Sequence, residues 1–176
     1  MNTWDEAAAA AVSKIVKFFT PNPDGPSLQH VRELLNEIIS TIMNNDLVRY
    51  SPRALCLDWQ NLGFLALAAG AGTGVLPATG PREVELFEQH LLATLVKKQT
   101  DYGHDNIARF GSTGLAVRVH DKVARLENLA ARGVPPENES LFDNYMDVIG
   151  YSAIGMMWEK DQFMLPLQKN LKIQEF

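Results

Sequence analysis

The sequence predicts an all-α protein, a bundle of about six helices in a single domain spanning residues 1–176. Three observations predict it. Apolar residues recur at spacings of three and four over long windows. Those windows are bounded by capping, proline and glycine signals. No stretch shows the alternation of a half-buried strand.

Thr3 and Glu6 form T-x-x-E, a capping-box signature, and an alanine-rich helix follows to about residue 19. The run TPNPDGP breaks it. A second helix covers about residues 27–45, with Leu28, Val31, Leu35, Ile38 and Ile42 on one face. Ser51-Pro52 opens a third, through RALCLDWQNLGFLALAA. GAGTGVLPATGP reads as a loop, and Pro81 suits the start of a fourth helix, about residues 82–100. Asp101-Tyr102-Gly103 ends that helix, with Gly103 as a left-handed cap. Gly111 to Gly114 punctuates. A fifth helix covers about residues 115–131, RGVPPENES is a turn, and a sixth helix covers about residues 141–160. The last stretch, FMLPLQKNLKIQEF, reads as an extended or frayed tail, since Pro166 breaks a helix there. Short connections favour antiparallel neighbours.

The bulk numbers exclude some functions. A net charge of −5 and a pI of about 5.3 argue against direct nucleic-acid binding, which normally needs a basic surplus. A local basic pocket for a small anion stays open. With one cysteine, Cys56, no disulfide can form within the chain, and a reducing, cytoplasmic setting is expected. Cys56 itself reads as a small buried hydrophobe. Asp5 and Glu6 stand where a secretory leader carries positive charge. The most apolar stretch, LGFLALAAGAGTGVLPA, is too glycine-rich and too short to span a membrane.

Chemistry concentrates in the C-terminal half. KKQTDYGHDNIARFG, residues 97–111, is dense in polar side chains, and reads either as a solvated helix end or as one wall of an anion site. In the fifth helix Arg118, Asp121, Lys122, Arg125 and Asn128 form a polar stripe. It is either a solvated face laced with Arg118–Asp121–Arg125 ion pairs or a phosphate-binding stripe. In the sixth helix Asp143 and Asp147 lie four apart on one face of a very apolar, largely buried helix. Two such carboxylates repel and lose hydration unless cations join them. Mg²⁺ suits that chemistry, and so does a cationic side chain such as Arg118 or Lys122 beside Asp147. Asp143 has a second explanation, because Ser140-x-x-Asp143 is a capping box. Glu85 and Glu88 share a face of the fourth helix, where first-turn glutamates also suit the helix dipole. His30, His90, His104 and His120 make no zinc spacing with Cys56. GAGTG lacks the Lys-Ser/Thr of a phosphate loop.

KKQTDYGHDNI, GLAVRVHDKVARLENL and ESLFDNYMDVIGYSAI, in that order, resemble the phage and bacterial nucleotide-modification-associated domain family, over about residues 87–158. That family is similar to the all-α MazG-like and dimeric-dUTPase-like NTP pyrophosphohydrolases. The resemblance implies a MazG-like core over residues 82–160, with residues 1–80 as N-terminal helices of unassigned role. It implies an Mg²⁺-dependent (deoxy)nucleoside triphosphate pyrophosphohydrolase, with Mn²⁺ in place of Mg²⁺ as the variant, releasing monophosphate and pyrophosphate. The setting would be phage nucleotide metabolism or DNA modification, in the host cytoplasm if phage-encoded. Asp121, Asp143 and Asp147 would be catalytic carboxylates and, with Glu88, metal ligands. Lys98, Arg118, Lys122 and Arg125 would hold phosphates; Tyr102, Asn106 and Tyr151 would contact sugar or base. The second pair here is D-x-x-x-D, where the MazG-like pattern has E-x-x-D. The alternative is a non-catalytic nucleotide-binding protein that sequesters or presents a modified or signalling nucleotide; a helical module that contacts a protein partner is the third. A homodimer or higher homo-oligomer is expected, with the second helix as its face.

Overall fold

A computed structural model of the chain describes residues 1–44 and 51–168. It is all-helical there, with α1 Trp4–Val16, α2 Leu28–Met43, α3 Pro52–Gly72, α4 Pro81–Tyr102, α5 Asp105–Ala108, α6 Gly111–Arg132 and α7 Leu141–Glu159. Asn45, the expected end of the second helix, lies outside the described residues.

The capping chemistry explains most boundaries. Thr3 accepts the Glu6 N–H, while the Glu6 carboxylate accepts from Asn2 rather than closing the box on Thr3. Ser51 accepts from the Ala54 N–H, with Pro52 opening the helix. Ser140 and Asp143 form a full reciprocal box at the start of α7. Gly103 ends α4 at φ 67° and ψ −167°, a region open essentially to glycine alone but not the left-handed well. The left-handed glycine cap belongs to α6, at Gly133.

Three boundaries differ from the sequence reading. Helix α3 runs on to Gly72, because Gly70 and Ala69 are buried and packing outweighs the low propensity of glycine. Asp105–Ala108 forms the additional short helix α5. Gly111–Gly114 opens α6 instead of separating helices. Gly111 has φ 53°, and a Cβ there would sit 2.8 Å from the Trp158 ring, so glycine is needed on both counts.

Helix α7 is the centre of the bundle. Nearly every residue from Asn144 to Met157 is buried. Helices α1, α3 and α6 pack around it, while α2 covers α3 and α6 from outside. The apolar stripe of α2 (Val31, Leu35, Ile38) is therefore spent inside the chain, which leaves little of it for the expected dimer face. Helix α4 lies mainly along α1 and only touches α7. Close packing of α3 on α7 depends on small residues. A Cβ at Gly155 would stand 2.5 Å from the Trp59 ring, and one at Gly63 would stand 3.1 Å from Ser152 of α7 and 2.7 Å from Ile15 of α1. The tail after α7 is anchored as far as it is described. Phe163 is buried against Trp4 and Trp158. The carbonyls of Pro166 and Leu165 accept from the Trp4 N–H and from His104 Nε2. Residues 169–176, the rest of the expected tail, lie outside the described residues. Among the described residues no helix is long and apolar enough to cross a membrane.

Replacing Gly155 by alanine forces the Trp59 ring aside in a full core. We expect a loss of about 1–3 kcal/mol, read as a Tm lowered by several degrees in thermal unfolding followed by circular dichroism.

Candidate functional site

Because α4 leans on α1 and barely reaches α7, a cleft of about 430 Å³ opens between α4, α6 and α7. Helical periodicity fills its walls. From α4 come Leu91, Leu95, Lys98 and Tyr102, at spacings of four and three. From α6 come Arg118 and Lys122, one turn apart. The floor is α7, with Asp147, Gly150, Tyr151 and Ile154. Asn106 of α5, Glu139 of the turn before α7, and Trp4 of α1 complete it. Gly150 lets the walls meet: a Cβ there would stand 3.0 Å from Leu95.

One chain of charges runs through this cleft. Lys98 Nζ donates to Asp147 Oδ1 at 2.6 Å, and Lys122 Nζ reaches Asp147 Oδ2 at 2.9 Å. Lys122 also donates to both oxygens of Glu139, at 3.0 and 2.7 Å. Arg125 reaches Glu139 through its carboxylate at 3.7 Å and its carbonyl at 3.2 Å. Arg118 differs: its Nη2 donates to Asn106 Oδ1 at 2.8 Å, and it has no carboxylate partner among the described residues. Lys98, Arg118, Lys122 and Arg125 against Asp147 and Glu139 make four positive charges to two negative. An acidic chain thus holds a local positive excess.

Asp147 is only 9% exposed. Burial pushes its carboxyl up, but the hydrogen bonds and charges of Lys98 and Lys122 outweigh that and hold it below the ordinary range. Burial likewise pushes Lys122 down, and Glu139 and Asp147 outweigh it to hold the ammonium above its usual range.

Seven residues singled out in the sequence meet here: Lys98, Tyr102, Asn106, Arg118, Lys122, Asp147 and Tyr151. Their roles shift in part. Asn106 faces Arg118, and Arg125 is tied to Glu139 at the edge. Asp143 is not in the cleft. It is exposed and closes the capping box on Ser140. Asp121 is exposed and makes no ion pair or side-chain hydrogen bond among the described residues. It is one position from Lys122, about 100° around the helix. The Arg118–Asp121–Arg125 ion pairs are accordingly not formed. Glu88 lies just under one turn before Leu91 on α4 and does not line the cleft either. Of the expected metal ligands only Asp147 lines the cleft, and among the described residues no group of three or more His, Cys, Asp or Glu is placed to hold a metal. The one pair of carboxylates present, Asp147 and Glu139, is already bridged by the Lys122 ammonium, where a cation between them would sit. These residues do not fit the Mg²⁺ set expected from the sequence.

Sequence reasoning missed Glu139. It sits in the RGVPPENES turn, where no periodicity assigns it a direction. The histidines are spent elsewhere. His30 Nδ1 accepts the Ser27 N–H, His104 Nε2 bonds the Leu165 carbonyl, and His120 Nδ1 lies 3.0 Å from Arg32. Cys56 is buried, as expected. No protein-family model, curated protein or solved structure matches this chain.

Asp147→Asn removes the charge that both lysines face. We expect a loss of about 1.5–3 kcal/mol at neutral pH, seen in urea unfolding. Because the folded carboxyl is depressed, its stabilisation is present above the ordinary 3.8 and is lost as pH falls through the lower folded value. The gap between wild type and Asp147→Asn should therefore narrow in acid below about pH 4.

Proposed function

We propose that the cleft binds a phosphate-bearing small molecule, and that a nucleotide is the class it suits. The observation that carries this is the convergence of Lys98, Arg118 and Lys122 on one cavity that also presents Tyr102 and Tyr151. The cationic end supplies charge-assisted hydrogen bonds to phosphate oxygens. The other walls, with Leu91, Leu95, Met146, Ile154 and the two tyrosines, offer apolar and aromatic surface for a base. The cavity lies within the usual range of small-molecule sites, about 300–1,000 Å³. The resemblance of its three sequence blocks to a nucleotide-modification family supports the same ligand class.

Binding is favoured over hydrolysis as the primary reading. The carboxylates that metal-assisted cleavage of a phosphoanhydride requires are dispersed, and Asp147 is held between two ammonium groups.

The test is isothermal titration of the protein with common nucleoside mono- and triphosphates and with pyrophosphate, with Mg²⁺ and with EDTA. Product analysis by ion-exchange chromatography runs beside it. We expect saturable binding that weakens with salt and falls by about tenfold or more in Arg118→Ala. Absence of binding by any of these ligands to folded protein overturns the reading. Monophosphate plus pyrophosphate, formed only with Mg²⁺ by wild type and lost in Asp147→Asn, would replace it with the pyrophosphohydrolase.

A further inference from the structure

Resting on the phosphate-binding reading of the cleft, we propose that Arg118 is the principal grip on a phosphate group and that Asn106 is its positioning residue, not a contact to sugar or base.

A hydrogen-bond inventory separates the cations. An ammonium has three donors. Lys122 donates to both Glu139 oxygens and pairs with Asp147 Oδ2 at 2.9 Å, so two carboxylates oppose its charge. Lys122 is therefore a structural tie between α6, α7 and the turn that carries Glu139. Arg125 is likewise drawn to Glu139. Lys98 spends one donor on Asp147 and is half exposed, with its charge already opposed by a carboxylate. A guanidinium has five donors in a rigid fork. Arg118 uses Nη2 alone, on the Asn106 side-chain oxygen at 2.8 Å and on its carbonyl at 3.4 Å. Its Nε and Nη1 hydrogens have no protein partner among the described residues.

The choice of partner matters. An amide oxygen orients the guanidinium without cancelling its charge, whereas a carboxylate in the same place would pair with it. Asn106 is on α5 and Arg118 is on α6, so the bond also fixes the short helix against the cleft. An oriented, half-buried, uncompensated guanidinium suits two oxygens of one phosphate. The first group to meet an incoming ligand's phosphate is thus Arg118, with Lys98 as the second cation.

The experiment is a double-mutant cycle on Asn106→Asp and Arg118→Gln, titrated with pyrophosphate, which has no base, and with ATP. Asn106→Asp changes one side-chain group and places a carboxylate on Arg118. We expect each single variant to weaken both ligands by about tenfold, by the same factor for each. In the Arg118→Gln background Asn106→Asp should add less than about twofold. Thermal unfolding should show Asn106→Asp at least as stable as wild type. Additive losses overturn the proposal, because they mean simple repulsion of the ligand. A loss confined to ATP also overturns it, and assigns Asn106 to the base or sugar. Unchanged affinity in Asn106→Asp overturns it as well while leaving the cleft as a phosphate site. Wild-type protein that binds neither ligand overturns both readings.

Discussion

The burial of α7 is the constraint on which the rest depends. A helix enclosed from Asn144 to Met157 has no solvated face on which to place a charge. A lone carboxylate there would lose its hydration and take up a proton. Asp147 keeps its charge because ammonium groups arrive from two directions, Lys98 from α4 and Lys122 from α6. That requirement fixes the neighbours. It draws α4 across a gap it otherwise hardly bridges, and Lys122 in turn gathers Glu139 and so the turn before α7. The cleft is the space left where α4 is held by an ion pair instead of by a packed face.

The same arrangement sets the field of the site. Two carboxylates offset half of the charge that four cations bring, and Arg118 is the cation left without a carboxylate partner among the described residues. Ion pairs exposed to water contribute little to stability. The Asp147 pairs differ in that the carboxylate itself is buried, while Lys98 is half exposed and Lys122 less so. The two lysines serve the fold first, and they are available to a ligand only so far as donors remain. Two carboxylates oppose Lys122, whereas Lys98 spends one donor on Asp147 and keeps two. Among the described residues Arg118 is the cation of the cleft whose side chain is oriented by an amide oxygen and not by a carboxylate.

The N-terminal helices, which carry no motif, make this geometry possible. Helices α1 and α3 wrap α7 through Gly63 and Gly155 contacts too close for any larger residue. Trp4 at the start of α1 both lines the cleft and anchors the tail at Pro166. Had α1 been a solvated arm, α4 would have lacked its main support and the cleft its fourth wall.

How much of this was legible follows from the range of each interaction. Helix type, caps and the buried nature of α7 are written in spacings of three and four and in residues such as Ser140 and Pro52, since those interactions close within a turn or two. The stripes of Lys98, Arg118, Lys122, Asp147 and Tyr151 were legible for the same reason. Spacing alone did not decide which stripe meets which. Asp143 and Asp147 share a face by periodicity, yet only Asp147 reaches the cleft. Asp143 sits at the first turn, where the capping box claims it. Asp121 stands beside Lys122 in the chain and about 100° away around the helix. Glu139, in an aperiodic turn, became visible only once α6 and α7 were packed. The sequence by itself determined the helices and the chemistry each could present. The tertiary structure decided that an ammonium, not a cluster of carboxylates, occupies the centre of the site, because ion pairing acts between helices whose mutual placement is set by the core.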